Sequence, residues 1–485
     1  MAARPVSLSW KGKSAALTAL AGTVPPIEEV ESVPGPSGAS GHLDRRLIQG
    51  DALDVSRALA RGGLHGRVDV VYLDPPYASG TDYTPEERLD GPATGLVARS
   101  AAYGDRWEDG PASYLDMLYP RLCAMRPLLK PSGSIWVQVD WRASYLVRAL
   151  CDEVFGRERF LNEIVWRRAP NLGRQARSGQ FGRTLDTIIV YGAGKEARLI
   201  PPHRLSPVRK GGAKLDKTTG RYFTVAPRGD YTDLSVARLE AEGRIHRSPT
   251  GNVYVKYWLE TDADGRLCKR QPVDALWTDI PPLRHVSPEE RTGYPTQKPC
   301  ALLERIVLAG SPPGGLVVDL FAGSGTTAAA AARLQRSFVV GDASPVALAT
   351  MRSRLLREGV TPLTIERCGT DRARHGDPRV TVQVIRSGRN DIRVSLCHAS
   401  RQKAVAWAID PSPLAGAPFC ARWHAERGSG RRPKELPLQA TLPIPNSAKA
   451  LRARVYFVDG SVRELVVSLQ AHRRERFSLS TESPP

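Results

Sequence analysis

The seven cysteines stand at 123, 151, 268, 300, 368, 397 and 420 with no Cys-x-x-Cys pair and no histidine at zinc-ligand spacing. That absence excludes a zinc module, so no metal site is expected and the thiols are read as reduced and buried. No apolar run approaches the roughly 18 residues that span a bilayer, and no membrane contact is expected. The apolar stretch Ala15 to Ala21 is too short for a secretory core and runs into Pro25, Pro26 and acidic residues, which argues against a signal peptide. A soluble, cytoplasmic protein is the resulting expectation. No internal repeat and no helicase or nuclease motif is visible. Acidic residues are in deficit: 50 Asp and Glu face 69 Lys and Arg, a net charge of +19. Such an excess favours an anionic partner, nucleic acid first, over a merely arginine-rich surface.

What is present is the composition of a globular chain, 41% hydrophobic and 25% charged over 485 residues, enough for roughly three domains at about 150 residues each. Residues 24 to 41 are rich in proline, glycine and serine, so ordered structure is expected from about Leu43, after a flexible segment 1–42. Strand and helix signals then alternate. Strands are predicted at Arg46 to Gln49, Val68 to Leu73, Ile135 to Val139, Ile164 to Trp166, Thr187 to Tyr191, Leu316 to Leu320 and Phe338 to Val340. Helices are predicted over Tyr114 to Leu129, Tyr145 to Phe155, Cys300 to Ala309 and from Thr326. The alternation argues for an α/β domain with a largely parallel sheet, interrupted by an irregular, basic region from Gly192 to about Pro282. After residue 370 short strands alone remain, which predicts an all-β unit over 370–485, a sandwich in preference to a barrel.

Two segments carry chemistry. Asp74-Pro75-Pro76-Tyr77 follows the strand Val68 to Leu73, where the carboxyl end of a parallel strand opens into a ligand crevice. Two prolines cannot donate hydrogen bonds, so the segment is a rim of carbonyl acceptors beside a carboxylate and an aromatic face. That suits an exocyclic amino group on a base stacked against Tyr77; the alternative is a tight turn after a core strand. The second segment, Asp319-Leu320-Phe321-Ala322-Gly323-Ser324-Gly325-Thr326, is a strand, a small-residue turn and a helix start, whose free N–H groups and glycines permit close approach to a ligand. Asp342 ends the next strand, the place where an acid holds ribose hydroxyls. The loop lacks the Gly-Lys-Ser/Thr ending of a nucleotide-triphosphate loop, which argues against ATP.

Taken together, these motifs resemble the β-class DNA amino methyltransferases, in which Asp-Pro-Pro-Tyr precedes Phe-x-Gly-x-Gly and a target-recognition region lies between them. Further matches are Gly50-Asp51, Asp140-Trp141-Arg142, Phe160 to Trp166, and Tyr294-Pro295-Thr296-Gln297-Lys298-Pro299. The likeness covers about residues 43 to 360. One departure is Leu185, which stands where many relatives have a histidine before Asp186-Thr187-Ile188-Ile189-Val190-Tyr191. Trp10-Lys11-Gly12-Lys13 is similar to a segment of type III modification methylases, and an exposed basic tail is the other reading of it. Trp407-Ala408-Ile409-Asp410 and Phe457-Val458-Asp459-Gly460 look like the tail of related methylases.

The resemblance implies a Rossmann-like S-adenosylmethionine-dependent methyltransferase fold with a catalytic half at 43–191, a target-recognition insertion at 192–285, a cofactor half at 286–365 and a C-terminal all-β domain at 370–485. It implies S-adenosyl-L-methionine as cofactor and double-stranded DNA as substrate, with a restriction subunit or a second copy of the chain as further partners. Asp74, Pro75, Pro76 and Tyr77 are the implied catalytic residues. Asp51, Thr296, Gln297, Lys298, Asp319, Phe321, Ala322, Gly323, Ser324, Gly325, Thr326 and Asp342 are the implied cofactor residues, with Lys298 meeting either the methionine carboxylate or only the surface. Asp at the first catalytic position resembles adenine-N6 members; cytosine-N4 methylation and a catalytically silent DNA-binding module are the alternatives. Residues 157 to 228 hold 16 Lys and Arg against five acids, a surplus of +11, which is read as a phosphate-contacting window containing Arg167, Arg168, Arg174 and Arg177.

Overall fold

Val68–Leu73 is buried at every position, as a strand covered on both faces by helices must be, and it lies near the middle of an eleven-stranded mixed sheet. Across that sheet the strands run in the order Leu276–Trp277, Phe160–Arg167, Leu185–Gly192, Leu129–Val139, Val68–Leu73, Leu316–Asp319, Ser337–Asp342, Arg45–Gln49, Leu363–Cys368, Ile27–Val33 and Phe419–Cys420. The six from Leu129–Val139 to Leu363–Cys368 are parallel. Leu185–Gly192 runs antiparallel to both of its neighbours. From Leu316–Asp319 the chain crosses by the helix Thr326–Arg333 to Ser337–Asp342 on one side; from Val68–Leu73 it crosses by the helix Pro111–Met125 to Leu129–Val139 on the other. The loops leaving these two adjacent strands diverge, and such a point opens a crevice at the carboxyl edge of the sheet.

The computed structural model describes residues 7–36, 43–77, 86–88, 97–99, 110–169, 179, 181–209, 211–369, 380–386, 391–398, 404–411, 417–427, 435–444, 448–469 and 475–478. They fall into two units, residues 1–199 with 275–485, and residues 200–274. The predicted helix over Tyr114 to Leu129 ends earlier, at Met125, and gives way to a 3-10 turn at Arg126–Leu128. Among the described residues no helix is long and apolar enough to cross a membrane.

The segment 1–42, expected to be flexible, is structured over much of its length. A short helix, Lys13–Ala19, packs near the helix Pro111–Met125. Trp10 Nε1 donates to Asp116 Oδ1 at 2.7 Å, its ring meets Tyr119 edge-on at 5.4 Å, and Lys13 pairs with Glu153 at 2.6 Å. Gly12 has φ 113°, and a Cβ there would come within 2.5 Å of Asp116 Oδ2. The Trp10-Lys11-Gly12-Lys13 segment is therefore an anchor rather than an exposed tail.

The C-terminal strands form two four-stranded antiparallel sheets around one buried cluster that includes Trp407, Leu451 and Val455, a sandwich as the short strands predict. Its separate folding, expected from the sequence, is not what the structure has. Ile27–Val33 pairs antiparallel with Leu363–Cys368 and parallel with Phe419–Cys420, so the C-terminal region extends the main sheet. Buried Glu31 accepts from Arg352 Nη2 at 2.7 Å and from Tyr456 Oη at 2.6 Å, and Arg352 Nη1 reaches Glu426 at 2.8 Å. A Cβ on Gly460 would meet the Pro345 carbonyl carbon at 2.6 Å. A charge cluster shared by three segments cannot be left half-made without a large penalty, which is why these parts are one unit.

The second unit, read from sequence as irregular, is an antiparallel sheet. Lys214–Leu215, Tyr222–Pro227, Val253–Thr261, Leu267–Pro272 and His203–Pro207 follow one another across it, and Ile245–Arg247 pairs with Val253–Thr261. Its strands are mostly half-exposed, so the hydrophobic pattern that marks a core strand is weak. Trp258 lies under Arg221 at 4.6 Å and Tyr257 under Lys269 at 3.8 Å.

Candidate active site

Asp74 leaves the end of Val68–Leu73 and lines a cavity of about 240 Å³ at the carboxyl edge of the sheet. Its Oδ1 accepts from Tyr77 Oη and its Oδ2 from Lys298 Nζ. Lys298 comes from 224 positions later in the chain, and its ammonium stands 5.3 Å from the centre of the Tyr77 ring. Pro76 lines the cavity; Pro75 and Tyr77 are outside its lining, and Tyr77 meets it through Asp74 and Lys298. Lys298, which the sequence reading paired with a ligand carboxylate or with the surface alone, is thus an ion-pair partner of Asp74, with side-chain exposures of 11% and 16%.

The opposite wall is the turn after Leu316–Asp319. Asp319 accepts from the Phe321 N–H at 3.0 Å and from Thr327 Oγ1 at 2.5 Å, which closes the turn over the strand end. Gly323, at φ 48°, takes a left-handed backbone that strains any side chain, and a Cβ there would press on the Tyr294 ring at 3.0 Å. Its N–H donates to Asp342 Oδ2 at 3.0 Å, while the Ser344 N–H donates to Oδ1 at 2.9 Å. Gly325, at φ 74°, faces away from the cavity, where a Cβ would strike Met351 Cγ at 2.8 Å; it serves helix packing. Phe321, Ala322, Ser324 and Thr326 line the cavity beside Gly323.

Burial acts on these acids. It pushes Asp319 up to about 7, with the charges of Asp74 and Asp342 adding to the shift against the hydrogen bonds from Thr327 and Phe321. It raises Asp342 to about 6 against the two backbone N–H groups. Clustered carboxylates with raised pKa values in a cleft are a mark of functional sites.

Thr296 and Gln297 also line the cavity. The Gln297 side chain is consumed by its own loop, accepting from Thr292 N at 2.8 Å and donating to the Glu290 carbonyl at 2.7 Å. Thr296 takes φ 60°, and the carbonyl of nearby Lys298 accepts from Thr326 Oγ1 at 3.1 Å. Asp51 caps the helix Ala52–Leu59 by accepting from Leu53 N at 2.8 Å and pairs with Arg121 of the helix Pro111–Met125. Arg121 and Met117 also line the wall and were not singled out by sequence reasoning; Leu303, which lines it too, belongs to the Leu302-Leu303-Glu304-Arg305 segment that resembles the family. Arg121 and Met117 sit on the helix Pro111–Met125, and nothing local in their pattern marks them.

Behind Asp74 runs a buried polar chain that the sequence did not reveal. Tyr72 Oη donates to Gln138 Oε1 at 2.7 Å, Gln138 Nε2 donates to Asp186 Oδ2 at 3.0 Å, and Arg168 Nε stands 2.7 Å from Asp186 Oδ1. Burial raises Asp186 to about 6, although the charges of Lys298 and Arg168 oppose it. Of the four arginines read as phosphate contacts, Arg167 is exposed and Arg168 is half-exposed and tied to Asp186. Arg174 and Arg177 lie outside the described residues.

Residues 68–351 match the N6/N4 family described as DNA methylase. The chain is 31% identical over 327 residues to the type II methyltransferase M.EcaI of Enterobacter cloacae, an alignment that covers 62% of this chain and 68% of the relative. It is 26% identical over 344 residues to the Mod subunit of the type III restriction-modification enzyme StyLTI of Salmonella typhimurium LT2, covering 61% of this chain and 51% of that subunit. Among solved structures it is similar to the PvuII DNA methyltransferase (cytosine-N4-specific), with 16% identity, coverage of 66% and 89%, and a TM-score of 0.38.

Proposed function

The chain belongs to the N6/N4 DNA methylase family, and from that premise we propose that it methylates N6 of adenine at a specific sequence in double-stranded DNA, as the modification enzyme of a restriction-modification system. The observation that carries the reading is the convergence of Asp74, Asp319 and Asp342 on one cavity. An amino group needs acceptors on one wall and a nucleoside-like cofactor needs acceptors on the other, and this cavity has both. The Asp at position 74, in the place where this family has Asp or Ser, supports adenine. The relatives' membership of type II and type III systems supports a restriction context, in which a restriction subunit or a second copy of the chain is the partner.

S-adenosylmethionine, when bound, would supply a methyl group activated by its sulfonium, the carbon–sulfur bond breaking with its electron pair left on sulfur as the amino nitrogen takes the methyl. The pocket fits it: Gly323 is the cradle that a Cβ would fill, and Asp342 is a carboxylate fixed by two backbone donors. Asp342 would hold the ribose hydroxyls, the turn from Asp319 to Gly323 would take the methionine end, and Asp51, its carboxylate oriented by Arg121, would face the adenine. Asp74 accepts one hydrogen of the target amino group and the Pro75 carbonyl the other, which draws the nitrogen lone pair out of conjugation with the ring. Once the nitrogen is methylated it sheds a proton to the Asp74 carboxylate. Tyr77 and Lys298 hold that carboxylate still, so the acceleration comes from position and preorganised electrostatics.

Incubation with labelled S-adenosylmethionine and amplified, unmethylated genomic DNA, followed by mass spectrometry of the nucleosides, tests this directly. N6-methyladenine is the expected product, and single-molecule sequencing of the same DNA reads the recognition site. N4-methylcytosine would transfer the assignment to the other amino base, and no methylated base at all would leave a DNA-binding module.

A further inference from the structure

Outside the cavity, on the same carboxyl edge of the sheet, Trp141 is 46% exposed although it is the largest kind of apolar side chain. It follows Leu129–Val139, the strand beside Val68–Leu73; Leu73 pairs with Val137, so Asp74 is level with Gln138 and Trp141 stands three residues beyond it. At about 3.3 Å per residue that is within roughly 10 Å along the chain. Two guanidinium groups flank the indole: Arg183 at 3.8 Å and Arg142 at 5.1 Å from the ring centre. Arg142 is in turn fixed by the buried carboxylate of Asp140, to which its backbone N–H also donates at 2.8 Å. Leu185 is 44% exposed, and the antiparallel register that pairs Val139 with Thr187 brings it level with Trp141 two steps on. Tyr145, one helical turn later, is 63% exposed. An exposed aromatic face costs solvation free energy; Arg183 stacks on part of the indole and Arg142 stands farther off, and the 46% that remains exposed is open to a further ligand.

Resting on the methyltransferase reading, we propose that Trp141 stacks on a base of the DNA that loses its neighbour when the target base is extruded. A ring face rimmed by two cations matches an unstacked base carried on a phosphate backbone. Trp141 is absent from the cavity lining, so the base it takes is one beside the target and not the target itself. Its stacking offsets part of the unstacking that extrusion costs, and the Asp140–Arg142 pair keeps the indole in position before DNA arrives. Leu185 serves as the apolar floor at this edge, so a substitution that keeps area but not a ring face does not replace Trp141.

The test compares binding of a mixed-sequence duplex with binding of the same duplex carrying a mismatched, easily unstacked pair, together with methyl transfer to amplified genomic DNA. The wild-type protein is expected to prefer the mismatched duplex. Trp141→Ala and Trp141→Leu lose that preference and about tenfold in transfer, within the range of one base–aromatic stack, and Trp141→Tyr recovers most of both. Cofactor affinity, thermal midpoint and the salt slope of DNA binding stay as in the wild type, because a base stack releases no phosphate counterion. Normal methylation with an unaffected Trp141→Ala, or a Leu variant as good as Tyr, overturns the stacking role and leaves the methyltransferase reading intact. A wild-type protein that neither binds nor methylates DNA overturns both.

Discussion

Lys298 and Asp74, both in the lining of the cavity, form an ion pair between two motifs 224 positions apart. The lysine sits on the carboxylate oxygen opposite to the one that Tyr77 occupies, so the acid is held from both sides.

If the two residues act as one unit, their substitutions are not additive. Asp74→Ala is expected to reduce methyl transfer by at least about 100-fold, the loss for one preorganised polar partner, with the cofactor still bound. Lys298→Met is expected to lower turnover more than cofactor affinity, and the double variant to be no slower than Asp74→Ala alone. Full additivity in turnover, or loss of cofactor binding in Asp74→Ala by calorimetry, contradicts the assignment.

The pH dependence of cofactor binding follows from the acids on the other wall. Asp319 and Asp342 are raised to about 7 and about 6, above the ordinary carboxylate range, so the folded protein holds protons that the unfolded chain has released. Their contribution to stability therefore falls as pH rises from about 4 to about 7. Ribose hydroxyls and a sulfonium favour the ionised acids, and cofactor affinity is expected to rise over pH 6 to 7 with release of protons. Calorimetry in buffers of different ionisation heat measures this; Asp342→Asn should remove the lower step, and Asp342→Ala should weaken binding by about 1.5 to 3 kcal/mol. A proton count of zero at pH 6 would exclude the linkage.

The alternating core was legible because its strands are short runs of buried Val, Leu and Ile that the cofactor and catalytic turns follow directly, as at Val68–Leu73 and Leu316–Asp319. Ile27–Val33 was not legible. Three of its seven residues are acidic, and its burial of Glu31 depends on Arg352 and Tyr456 from distant segments. The strands of 200–274 escaped for a different reason: one half-exposed sheet carries little periodic hydrophobicity. Trp10 shows the same limit, since its anchoring role lies in a bond to Asp116 and not in its own neighbourhood.

The buried charge cluster predicts that the C-terminal sandwich matters to cofactor binding. The helix Pro345–Arg357 carries Arg352 toward Glu31 and Glu426 on one side. On the other, Arg354 donates to Thr326 Oγ1 at 2.9 Å, and Met351 packs where Gly325 has no side chain. Arg352→Met is expected to cost about 3 to 5 kcal/mol by stranding two buried carboxylates, and to weaken cofactor binding at temperatures where the variant is still folded. Retained affinity in the folded variant, measured by calorimetry alongside a denaturation curve, would separate the sandwich from the cofactor loop.

Two adjacent arginines are expected to behave in opposite ways. Arg167 ends the strand Phe160–Arg167 with its side chain in solvent, whereas Arg168 is held against the buried Asp186. A cation bound to phosphate releases counterions, so Arg167→Gln, which no longer neutralises a phosphate, should lower the log–log salt slope of DNA binding by roughly 0.9 and leave the thermal midpoint alone. Arg168→Gln removes the guanidinium from an acid that is 1% exposed, so it should lower the midpoint while the slope stays put. At low pH the Arg168 penalty should shrink, because Asp186, raised to about 6, is then neutral and no longer needs the charge. Binding isotherms across a salt series, paired with thermal denaturation at pH 5 and pH 8, distinguish the roles; an equal fall in slope for both variants would place both arginines on the phosphates.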